Sequence, residues 1–170
     1  PTHDRAIAFC WSDVPPHMES ETETAVRRET GTVDWTTAVF AGLGAGIVMG
    51  LMIQFVMGIM PVIGALYGAE GLVTGWVAHL VHSVVFALVF AAAVSRPPLS
   101  KYAESPVSAA GLGLVYGVLL WVVAAAVVMP IWMGAVGLPS PGVPNLNPQS
   151  LVGHVVFGVL LGGLYAVLSR

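Results

Sequence analysis

Three histidines stand in stretches that carry almost no charge, and chemistry is to be expected from them first. His79, His82 and His154 all lie in strongly apolar sequence. An ionisable side chain at membrane depth is costly and rare, so by default it points to function. His79 and His82 are three positions apart and share one face of a helix. Two imidazoles can ligate the iron of a b-type haem from opposite sides, and two or three can hold a small metal ion. They can also line a proton or solute path. Against these stands the structural reading: a neutral histidine donates to a backbone carbonyl, or to Ser83, Ser150 or Thr74, and fastens two helices. The structural reading is favoured, with the ligand and pathway readings open beside it.

Methionines form a second group: Met57 and Met60, then Met129 and Met133, with Met49 and Met52 continuing the run. Thioether with imidazole is a ligand set for Cu(I). Methionine is also an ordinary filler of irregular gaps, and packing is the preferred reading. Gln54 is the remaining polar group far from either end of its segment, and Glu70 is a lone carboxylate at a helix start, where the dipole favours it. The chain presents no nucleophile–base set, carboxylate pair, phosphate-binding glycine loop or basic patch, so nucleic acid is not an expected partner.

The elements that must position these residues are apolar helices. The sequence is 56% hydrophobic and 9% charged, with mean hydropathy +0.85, a composition outside that of soluble domains. Charge is missing between Trp35 and Ala69, between Gly71 and Ser95, and between Ser105 and Ser169. About 20 apolar residues cross a bilayer. The gaps therefore predict four spans, at roughly 35–60, 71–95, 106–129 and 148–168. Asp34, Ser105-Pro106 and Asn147-Pro148 are set to cap helix starts. Pro61 and Pro130 are expected to stop the first and third spans.

The spans repeat. Ala41-Gly42-Leu43-Gly44 recurs as Ala110-Gly111-Leu112-Gly113, and Met60-Pro61 falls on Met129-Pro130. After a two-residue insertion, the segment from Leu80 to Ala87 lines up with that from Leu151 to Gly158. The expected fold is all-α: an integral membrane four-helix bundle built from two duplicated helical hairpins, residues 35–100 and 105–170, in parallel rather than inverted relation. Small residues would bring the helices together, because lipid removes the hydrophobic drive for association. Gly42, Gly46 and Gly50, then Gly113 and Gly117, then Gly158 and Gly162 are the expected packing seams. The repeat sets His154 opposite Ser83, so His82 and His154 differ in depth by about 1.5 Å. His79, better aimed along the helix face, competes with His82 as the partner of His154.

Arg27, Arg28, Arg96, Lys101 and Arg170 gather at one end of the spans, and no basic residue lies in the turns after Met60 or Met129. The positive-inside rule then places both termini in the cytoplasm of a multi-pass plasma-membrane protein. Residues 1–34 are polar and hold seven of the nine acidic residues, which predicts a disordered cytosolic tail. Met18 is a plausible start, with residues 1–17 an extension or unrelated leader; no cleaved signal peptide is recognisable. Cys10 is the single cysteine, which excludes an internal disulfide.

The last span, His154-x-x-x-Gly158-x-x-x-Gly162-x-x-Tyr165, resembles an ending that recurs in small prokaryotic membrane protein families of unknown function, especially from halophilic archaea. That resemblance implies a four-helix membrane protein and carries no activity with it. Three functions remain in play. The leading one is a non-catalytic accessory or anchor subunit of a membrane complex, its partners the lipid bilayer and other membrane subunits or further copies of itself. The second is an electron-transfer subunit holding haem b through His154 with His82 or His79. The third is a small oligomeric transporter or channel module.

Overall fold

The computed structural model describes residues 33–170; the polar tail, apart from Val33 and Asp34, lies outside them. Among the described residues the regular structure is entirely helical. Seven α-helices follow in order: α1 (Trp35–Met52), α2 (Met60–Ala65), α3 (Leu72–Val94), α4 (Ser100–Ala103), α5 (Pro106–Leu120), α6 (Met129–Ala135) and α7 (Pro148–Leu168). Two π-helical stretches extend them: Ile53–Met57 after α1, and Trp121–Val128 joining α5 to α6. Four continuous helices are long and apolar enough to cross a membrane: Trp35–Met57, Leu72–Val94, Pro106–Ala135 and Pro148–Leu168.

Local chemistry explains the starts. Asp34 accepts the Thr37 amide at 2.9 Å and the Thr37 hydroxyl at 2.7 Å. Those bonds favour the ionised form and hold the Asp34 carboxyl below the usual carboxylate range. Asn147 accepts from the amides of Gln149 and Ser150 at 2.8 and 3.1 Å, ahead of Pro148 in the first turn. Ser105 differs from expectation: its side chain makes no cap bond, and Pro106 alone favours that start.

Neither proline stops its helix as expected. After the π turn, Gly58 adopts the left-handed conformation at φ 68°, and Pro61 then sits in the first turn of the short helix α2. The third span runs past Pro130 to Ala135. A proline inside a helix lacks an N–H and strands the carbonyl four residues earlier. Here that carbonyl is Ala126, and it accepts the Asn145 amide at 2.9 Å. Ser140 donates to the Pro130 carbonyl at 2.6 Å. The segment before α7 thus straps the far end of the third span and satisfies backbone that the proline leaves open.

Helix α1 packs against α3 and α7, and α7 packs against α5. The backbones of α3 and α5 stay apart, so the neighbours form a chain α3–α1–α7–α5 with one loose edge. The core holds Ala38, Ala41, Ala45 and Met49 of α1, Phe90 and Ala91 of α3, and Phe157, Leu161 and Tyr165 of α7. Outward faces are apolar too: Val73 is 78% exposed and Val107 83%, which suits lipid as the surrounding solvent.

Candidate functional site

Two antiparallel seams bring the spans together in pairs. In the first hairpin, Gly42 lies under Ala87, Gly46 under Ser83, and Gly50 under Trp76 and His79. In the second, Gly113 meets Gly158, Gly117 meets His154, and Gly162 meets Ala109. All seven glycines named from sequence are buried. The seams differ in what the glycines touch. A Cβ on Gly46 would meet the Ser83 side chain at 2.6 Å, whereas one on Gly113, Gly117, Gly158 or Gly162 would run into the backbone carbonyl of the facing helix.

The contacts also fix the register between hairpins. Gly42–Ala87 corresponds to Gly113–Gly158, and Gly46–Ser83 to Gly117–His154, a uniform shift of 71 positions. The sequence repeat pairs Gly42 with Gly111, two residues away from this register. Gly111 is exposed, with nothing within 4 Å of where its Cβ would be. Identity of residues and identity of packing role have separated there.

His79 is 7% exposed, on the α3 face that meets α1. Its Nε2 lies 2.9 Å from the Gly46 carbonyl. A carbonyl only accepts, so Nε2–H donates and the neutral ring keeps a bare Nδ1. The Ser83 hydroxyl donates to the His79 carbonyl at 2.9 Å. One turn away, the Trp76 indole N–H donates to Gln54 Oε1 at 2.6 Å, and its ring stands edge-on to His79 at 6.2 Å. Gln54, Trp76, His79 and Gly46 thus tie α1 to α3 through side chains.

His82 points elsewhere, to the loose edge. Its Nε2 is 2.7 Å from the Tyr67 hydroxyl, and burial pushes the Tyr67 phenol up, which keeps its proton in place at neutral pH. Phe86 stacks on the imidazole at 6.2 Å, and Trp132 stands edge-on to both His82 and Tyr67, at 6.2 and 5.1 Å. His154 turns back along its own helix: Nδ1 lies 2.8 Å from the Ser150 carbonyl and must donate to it. Among the described residues no group bonds its Nε2.

The three histidines therefore engage three different partners: the Gly46 carbonyl, the Tyr67 hydroxyl and the Ser150 carbonyl. No group of three or more His, Cys, Asp or Glu able to hold a metal ion occurs among the described residues. Of the methionines, Met49 and Met60 are buried in the core, and Met57 and Met129 pack against it.

Sequence reasoning missed the aromatic bridge across the loose edge. The Tyr116 hydroxyl donates to the Phe86 carbonyl at 2.8 Å, and its ring lies 5.4 Å from Phe90. Tyr67 carried no signal because it follows a short helix; Trp132 reads from sequence as an interfacial anchor near the outer end, and its place in the bridge depends on α6, the unforeseen continuation of the third span. The Trp121 indole N–H is buried without a partner. Comparison with protein families, with curated proteins and with solved structures finds no match to this chain.

Proposed function

We propose that the chain is an integral membrane subunit without catalytic chemistry of its own, an anchor or accessory part of a membrane assembly. The observation that carries this reading is the commitment of its polar side chains. His79 is bonded to α1, His82 to Tyr67, Gln54 to Trp76, and Tyr116 to the α3 backbone. Such bonds specify helix pairing in lipid. Bis-histidine haem ligation needs two free imidazole nitrogens aimed at one point, and the Nε2 atoms of His79 and His82 are already engaged.

On this reading the protein is a multi-pass plasma-membrane protein with both termini cytoplasmic, as the arginines and lysine place them. Its two hairpins descend from one; the recurrence of residues 41–44 at 110–113 and of the 80–87 pattern at 151–158 supports that origin. Two measurements test the proposal. The purified full-length protein should show no Soret band; a band with sharp reduced α and β peaks, lost in His154→Ala, overturns it in favour of haem. Extracted from its native membrane in mild detergent, the protein should migrate in an assembly larger than its own 17.7 kDa; migration as a lone chain removes the anchor reading.

A further inference from the structure

The loose edge between α3 and the third span is bridged at two levels. On α3 the bridging residues, His82 and Phe86, are one turn apart, about 6 Å along the axis. On the third span the matching residues, Trp132 and Tyr116, are sixteen positions apart, about 24 Å along a straight α-helix. Long aromatic side chains cover part of the mismatch. The rest falls on the stretch between, which holds the π-helical segment Trp121–Val128 and Pro130. A π stretch and an internal proline are two of the standard causes of a bent helix, and π segments in α-helices often mark functional positions.

We propose that the arm Met129–Ala135 is a gate over the loose edge, hinged at Trp121–Pro130 and latched by Trp132 on the Tyr67–His82 pair. The latch is small and non-covalent: two edge-on ring contacts and one hydroxyl–imidazole bond. The edge beneath it has little close backbone contact to hold it shut. At the hinge, the buried Trp121 N–H lacks a partner, so no side-chain hydrogen bond from this residue holds the hinge in place. Ser140 holds the Pro130 carbonyl at the root of the arm, whereas Asn145 holds the Ala126 carbonyl within the hinge, so the strap follows the root of the arm and leaves its tip free to swing. The neighbouring faces expose Val85, Val89, Val115 and Leu119. An acyl chain, rather than water, is what such an opening admits.

Cys10 is the single cysteine, so a Cys10→Ser background accepts spin labels at chosen sites. Labels at Val73→Cys and Val136→Cys, both exposed, report the distance across the gate in lipid nanodiscs. The closed distance should dominate with a minor longer population. Trp132→Ala should at least double the longer population, and Tyr67→Phe, which removes only the hydroxyl, should raise it less. Ile131→Ala, on the same arm but exposed, should leave the distribution unchanged and shows that the arm still folds. A single distance unmoved by Trp132→Ala and Tyr67→Phe overturns the gate, and so does an equal shift in Ile131→Ala.

Discussion

The two hairpins reach close helix contact by different means. In the first, glycines of α1 receive side chains of α3, and hydrogen bonds from His79 and Trp76 reinforce the fit. In the second, glycines of α5 and α7 lie on the opposing backbone, and no side-chain hydrogen bond crosses between the two helices among the described residues. Lipid gives no hydrophobic reason for helices to associate, so dispersion at short range and interhelical hydrogen bonds must do it. The first hairpin uses both; the second relies on proximity. A seam made of side chains can adjust by trimming one of them, while a seam made of backbone has nothing to trim.

The largest effect expected from this difference is at Gly113 or Gly158. Alanine at either drives a Cβ into a carbonyl of the facing helix and should cost about 3 kcal/mol or more, read by reversible unfolding in mixed micelles. Gly46→Ala meets side chains alone, Ser83 at 2.6 Å and Leu80 at 3.4 Å, and should cost about 1–2 kcal/mol. Next comes His79→Ala, which removes the bond to the Gly46 carbonyl and should cost about 1 kcal/mol, with a matching loss of hydrogen-exchange protection where α1 meets α3. Asp34→Ala should fray the start of α1 by about 0.5–1 kcal/mol. Because the folded carboxyl titrates below its unfolded value, the cap contributes at neutral pH and is lost as pH falls through the folded pKa; exchange at the first turn of α1 should rise only there. Smallest is Gly111→Ala: in open space on a helix, it should be neutral or stabilise by about 0.5–1 kcal/mol. A large penalty at Gly111 would restore the register of the sequence repeat and break the comparison.

Much of the fold was legible because charge exclusion and span length are written plainly in the sequence. The expected spans 71–95 and 148–168 differ from Leu72–Val94 and Pro148–Leu168 by a residue at most. The third span was misjudged because Pro130 reads as a stop; the Asn145 amide that supplies the missing partner lies fifteen residues further on. Sequence identities pair Gly42 with Gly111, but the glycine that faces a neighbour is chosen by helix rotation, and Gly111 looks like Gly42 in sequence while lying on the opposite kind of surface. For the candidate site, spacing placed His79 and Ser83 on one face. It carried no information on rotamers, so the bonds to Gly46, Tyr67 and Ser150 were out of reach.

The claim that one seam can adjust and the other cannot is tested most directly by a compensation experiment. Gly42→Ala should destabilise the first hairpin, since its Cβ would lie 2.5 Å from that of Ala87. Adding Ala87→Gly should recover at least half of the loss by removing the colliding atom. In the second hairpin, Gly113→Ala collides with the Gly158 carbonyl, and the nearest atoms of the facing helix are all backbone, so trimming a side chain of α7 such as Val155→Ala should recover nothing. Recovery in the first hairpin alone is the predicted result; recovery in both, or Gly113→Ala tolerated as well as Gly111→Ala, would contradict it.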